Sequence, residues 1–164
     1  MKKTIILILT FLFLVSCASI NPYNVPEGNG AYLKNRIEYR GKARYSYFFL
    51  AAGEKDFWPG WTTPGGKAVY KIPSGKMVLR QMIVYTPDVR PGYAREDQYQ
   101  IWVLKVNLNA LEGHTYQMNC MIEKGKAFIW IEEAGGKKVS KTVLGLKAHR
   151  PYFLVWETLP PPVP

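Results

Sequence analysis

Apolar and polar residues alternate with a period of two along much of this chain. Tyr116, Met118, Cys120 and Ile122 share one parity, and Thr115, Gln117, Asn119 and Met121 the other, which predicts a half-buried strand. Trp102, Leu104, Val106 and Leu108 form the apolar face of a second strand, although Ile101 and Val103 make its other face apolar as well. Residues 127–131 are apolar at both parities and predict a central strand. Further strands are expected at 76–85, 43–50 and 152–157, with weaker patterns at 68–72, at 139–143 and around Ile37. Residues 51–57 suggest one short helical turn, and nothing else combines helical length with helical spacing.

Glycine and proline punctuate these runs. Pro73-Ser74-Gly75, Glu112-Gly113-His114, Lys124-Gly125 and Gly135-Gly136 are turn signals, and Lys124-Gly125 and Gly135-Gly136 each have the spacing of a hairpin. Short strands separated by turns at regular intervals predict an all-β fold, a single β-sandwich with a small β-barrel as the alternative. The sandwich is expected to occupy residues 31–158. Residues 17–30 are polar, contain two prolines and two glycines, lack periodicity and read as a flexible tether. Residues 159–164, rich in proline, read as a disordered tail.

The first residues have a different character. Lys2 and Lys3 precede an apolar run from Thr4 to Val15, too short to cross a bilayer comfortably, which takes about 20 residues. It fits the apolar region of a cleaved signal peptide at 1–16. The run ends in Leu14-Val15-Ser16-Cys17, which resembles the lipobox of bacterial lipoproteins. That resemblance implies a diacylglyceryl group on the Cys17 thiol, cleavage before Cys17, acylation (palmitate or similar) of the new amine, and attachment to a membrane through lipid. Ala18 follows the cysteine, where an aspartate would resemble an inner-membrane retention signal. The resemblance therefore implies the outer membrane of a host with two membranes, on its periplasmic or surface side.

The interior motifs carry a second resemblance. Ile72-Pro73-Ser74-Gly75-Lys76-Met77-Val78-Leu79 is similar to a strand-turn-strand segment of small prealbumin-like, or Ig-like, β-sandwich lipoproteins. So is Leu108-Asn109-Ala110-Leu111-Glu112-Gly113-His114-Thr115-Tyr116, and the hairpin from Gln117 to Glu132 has the matching spacing. These segments imply a sandwich of the cell envelope and no particular chemistry. Residues 54–66 depart from the pattern.

Composition and charge narrow the function. A formal charge of +10 would raise nucleic acid as a partner in a cytosolic protein. Behind an export signal it points instead to a solvated basic surface, or to anionic headgroups, lipopolysaccharide or cell-wall polymer. Only His114 and His149 are histidines, and with Cys17 lipidated Cys120 is the single remaining thiol. No metal site is expected, no cofactor and no intramolecular disulfide. Cys120 shares a parity with Met118 and Ile122 and is expected to be a buried small hydrophobe. Glu132-Glu133 and Glu96-Asp97 are neighbours that point to opposite strand faces, so neither pair suggests an acid-base dyad.

The remaining candidates are loops. Trp58 and Trp61 stand three apart in Phe57-Trp58-Pro59-Gly60-Trp61, flanked by proline and glycine, where they could offer an aromatic platform or plug one end of the sandwich. A second long loop lies at 85–99. The sequence thus leads to a non-enzymatic, membrane-anchored envelope lipoprotein with Cys17 as its lipidation site. Trp58 and Trp61 are its candidate contacts with a protein or a glycan. An accessory subunit of an envelope secretion or assembly machine, or a periplasmic inhibitor or immunity protein, are the alternatives.

Overall fold

Alternation along the chain resolves into two packed sheets. The computed structural model describes Tyr23 and residues 25–26, 28–57, 68–87 and 100–148. Cys17, Trp58, Trp61, His149, the strand expected at 152–157, the leader at 1–16 and the tail at 159–164 lie outside the described residues. Eleven strands are present among the described residues, and no helix. They are β1 (Ala31–Lys34), β2 (Arg36–Arg40), β3 (Ala43–Ala52), β4 (Lys55–Asp56), β5 (Val69–Ile72) and β6 (Gly75–Thr86), followed by β7 (Gln100–Ala110), β8 (Thr115–Glu123), β9 (Lys126–Glu133), β10 (Val143–Leu144) and β11 (Leu146–Ala148).

The first sheet has the order β10-β9-β8-β1-β5, and the second β11-β7-β6-β3-β2, with β4 added to the end of β3. Two separate sheets make this a sandwich and not a closed barrel. Neighbouring strands are antiparallel except for β1 and β8, which run parallel from Tyr32↔Thr115 to Lys34↔Gln117. Leu33, Tyr47, Phe49, Leu79, Ile83, Trp102, Tyr116, Met118, Ile129 and Ile131 are buried between the sheets. In β7 and β8 these residues carry the parity read from the sequence. A second apolar cluster, formed by Met82, Ile101, Val103 and Ala148, belongs to the other face of the six-stranded sheet. That is why Ile101 and Val103 make the second face of β7 apolar at its start.

The chain passes from one sheet to the other twice within a single residue. Between β1 and β2 the crossing residue is Asn35, which is 2% exposed. Its amide donates to the Ala68 carbonyl at 2.8 Å, and its Oδ1 accepts from the Phe49 amide at 2.8 Å. Between β10 and β11 it is Gly145, whose amide donates to Ala127 O. A β-carbon there would lie 2.7 Å from Ile129 Cδ1 and 3.0 Å from Trp102 Cβ, so the crossing is close-packed against the core.

Gly30, the turn Gly53-Glu54, the Ser74-Gly75 turn and residues 111–114 gather at one end of the sandwich. The hairpin tips Gly41-Lys42 and Lys124-Gly125 lie at the other. Tyr23 reaches back to the first end. Its hydroxyl donates to the Ala52 carbonyl, and its ring meets Phe57 at a centroid distance of 6.2 Å. Nearby, Lys71 Nζ donates to the Pro26 carbonyl. Tyr23 and Pro26, within the segment expected to be tether, thus both contact the domain.

Two local expectations are corrected. Residues 51–57 do not form a helical turn. Ala51 and Ala52 pair with Arg80 and Leu79 in the ladder, and Gly53 turns the chain with φ 54° into β4. Buried alanines served the sheet here, although alanine favours helices in isolation. Residues 139–143 form no continuous strand. The Val139 and Ser140 amides both donate to Ile131 O, and only Val143 enters β10.

Candidate functional site

β1 leaves the first sheet at Asn35, so its pairing with β8 ends at Lys34↔Gln117. Beyond that point β8 has an open edge, and backbone groups on it need other partners. Arg40, at the end of β2 in the opposite sheet, supplies one. Its Nη1 donates to the Cys120 carbonyl at 3.1 Å and its Nη2 to Asn119 Oδ1 at 3.0 Å. The same Asn119 oxygen accepts from the Cys120 amide at 2.9 Å.

Arg40 is itself held by Glu38, through Nε at 2.8 Å and Nη2 at 3.1 Å. Arg36 Nη2 lies 3.3 Å from the same carboxylate, as an ion-pair contact without an aligned hydrogen bond. The guanidinium of Arg36 lies over the Tyr47 ring and that of Arg40 over Tyr45, each at 4.6 Å. The Tyr47 hydroxyl sits between Glu38 Oε2 at 3.4 Å and Cys120 Sγ at 3.7 Å. The Arg40 hydrogen bond holds the Glu38 carboxyl below its ordinary range, with the charges of Arg40 and Arg36 adding to it. Burial pushes both the Tyr47 phenol and the Cys120 thiol up.

From Asn119 the polar chain continues across the outer face of the first sheet. Glu132, only 7% exposed, accepts from Gln117 Nε2 at 2.9 Å, from Asn119 Nδ2 at 3.0 Å and from Trp130 Nε1 at 3.4 Å. Register explains the grouping. Gln117 faces Glu132 and Asn119 faces Trp130 across the β8–β9 ladder, so all four side chains project from one face. Lys138 Nζ lies 5.6 Å from the Trp130 ring centre. One step toward the hairpin tip, Met121, Phe128 and Leu144 line up across three strands. Met121 is 51% and Leu144 50% exposed. An apolar row, exposed at both ends and half-buried at Phe128, thus lies beside a fixed polar ladder.

The ionisable groups around this face are engaged within the fold. Cys120 is buried with its thiol held neutral, which disfavours nucleophilic use. The Glu132 carboxylate is enclosed by three donors. Glu133 takes a different partner, His114 Nδ1 at 3.3 Å, while the His114 ring stacks on Tyr116 in the turn. Among the described residues no group of three His, Cys, Asp or Glu side chains could hold a metal ion.

The sequence reading singled out Cys17, Trp58 and Trp61, none of which lies in the described residues, and it missed this face. Trp130 and Phe128 were read only as apolar members of a central strand. The signal that could have found them is the β8–β9 register, which follows from the Lys124-Gly125 turn and sets Glu132, Gln117 and Asn119 beside Trp130. No protein-family model matches the chain, and no curated protein or solved structure matches it either.

Proposed function

We propose that this chain is a non-enzymatic lipoprotein of the cell envelope, anchored through lipid on Cys17, whose β-sandwich binds a protein or an envelope polymer. The leader ending in Leu14-Val15-Ser16-Cys17 supports the anchor. The observation that carries the binding reading is the row Met121, Phe128 and Leu144, exposed at Met121 and Leu144 and half-buried at Phe128, beside Trp130 on a sheet face stiffened by the Glu132 ladder. Apolar contact would supply affinity there, and the fixed amides and indole would orient the partner. Trp58 and Trp61, from the proline- and glycine-rich loop after Phe57, are proposed as a second contact. The outer membrane is the proposed site in a host with two membranes.

The test is crosslinking and pull-down of the mature lipoprotein from its native membranes. Wild type is compared with Met121→Ser/Trp130→Ala and with Trp58→Ala/Trp61→Ala. Loss of one stoichiometric partner in either folded variant supports the reading and assigns the contact. Undiminished capture by both would sink the assignment of these surfaces.

A further inference from the structure

The two ends of the sandwich differ in charge and in their distance from Cys17. At the Gly30 end, Lys55, Lys71, Lys76, Arg80, Lys137 and Lys138 are interspersed with Glu54, Asp56, Glu112 and Glu133. Arg80 is paired with Asp56 there. At the opposite end the two hairpin tips carry Lys42, Lys124 and Lys126, all exposed, with Arg44 beside them. Glu123, the acid among them, faces Lys126 across the ladder, while Glu38 is taken up by Arg36 and Arg40. Tyr39, 64% exposed, pairs in register with Arg44.

Lys124 has a backbone feature of its own. It turns the β8–β9 hairpin with φ 48°, followed by Gly125 with φ 75°. Positive φ at both central positions is the two-residue turn that matches strand twist, and asparagine or glycine normally takes the first of them. A lysine there costs strain and projects its ammonium from the tip.

Position follows from the chain itself. Because Tyr23 is fixed at the Gly30 end, only the residues from Cys17 to Tyr23 span the gap to the lipid, about 20 Å at ~3.4 Å each. The 12 residues of β6 run the length of the sandwich, roughly 40 Å at ~3.3 Å each.

We propose that the Gly30 end faces the membrane at short range, and that Tyr39, Lys42, Arg44, Lys124 and Lys126 at the far end bind an anionic polymer of the envelope. The orientation rests on lipid attachment at Cys17; the polymer site does not. The site adjoins the Met121, Phe128 and Leu144 row, because Glu123 and Lys126 are the next pair on the same face of the ladder. Clustered cations at two tips of one end raise a positive potential that concentrates an anionic partner, where lysines diluted by carboxylates do not.

The mature chain carrying Cys17→Ser is titrated with dextran sulfate, with uncharged dextran and phosphatidylglycerol vesicles as comparisons. Lys42→Glu/Lys124→Glu/Lys126→Glu is set against Lys76→Glu/Lys105→Glu/Lys137→Glu, which changes net charge equally. The far-end variant is expected to lose about tenfold or more of its affinity for dextran sulfate, and the control less than about threefold, with binding weakened by salt. Equal losses in the two variants, no binding by wild type, or preference for the vesicles would each overturn the polymer site. Orientation is read separately on the lipidated protein in vesicles, with a fluorophore at residue 42 or 112 and a quencher in the bilayer. Stronger quenching at 112 supports it, and equal or reversed quenching overturns it.

Discussion

Arg40 and Cys120 join the two sheets where the first has lost a strand: the guanidinium at the end of β2 donates at 3.1 Å to a carbonyl on the open edge of β8. One side chain thereby satisfies an edge group, neutralises Glu38 and covers the Tyr45 ring. Arg40→Ala is expected to lower unfolding free energy by about 2–3 kcal/mol, because a part-buried carbonyl and carboxylate lose a charged donor together. Arg40→Lys should recover only part of this, since an ammonium cannot reproduce the fork. Denaturant titration checks both.

The same pairing sets an acid dependence. The folded-state carboxyl of Glu38 lies below its unfolded value, so its stabilising contribution is present above the ordinary carboxylate range and is lost as pH falls through the folded value. Stability measured from neutral pH downward should therefore fall less steeply in Glu38→Gln than in wild type. Parallel curves would contradict the assignment.

Gln81 and Asn35 are both buried amides with opposite expected behaviour. Asn35 satisfies the Phe49 amide at the first crossing, so Asn35→Ala should destabilise by about 1–3 kcal/mol. Gln81 is 0% exposed on β6, and neither atom of its amide has a hydrogen-bond partner. Gln81→Met, of similar shape, should leave stability unchanged or raise it by about 1–2 kcal/mol. Thermal unfolding of the two single variants separates them.

At the second crossing, Gly145→Ala places a methyl group against Ile129 and Trp102. A loss of about 1–3 kcal/mol is expected from overpacking, together with a change in Trp102 fluorescence. A companion Ile129→Val change should recover part of the loss.

Much of the sandwich was legible in the sequence because its long strands obey a period of two and their turns carry glycine. The parity of Tyr116, Met118 and Cys120 placed their side chains in the core. Residues 51–57 were misread because buried alanines look alike in helix and sheet until the ladder partners, Leu79 and Arg80, are known. The crossing at Asn35 left no signal, since a single residue between two strands reads as part of a continuous run, and the two- and three-residue strands flanking Gly145 are too short to show a period. The Trp130 face was hidden for another reason. Its polar members come from two strands, and only register brings Gln117 and Asn119 to Glu132.

The central proposal, a lipid-anchored envelope module, is tested most directly at Cys17. Cells expressing the full chain or Cys17→Ser are labelled with radioactive palmitate and separated into membrane and soluble fractions. The expected result is label on the wild-type protein in the membrane fraction, and an unlabelled, soluble Cys17→Ser protein. An unlabelled wild type, or a Cys17→Ser protein that stays in the membrane fraction, would contradict the anchor.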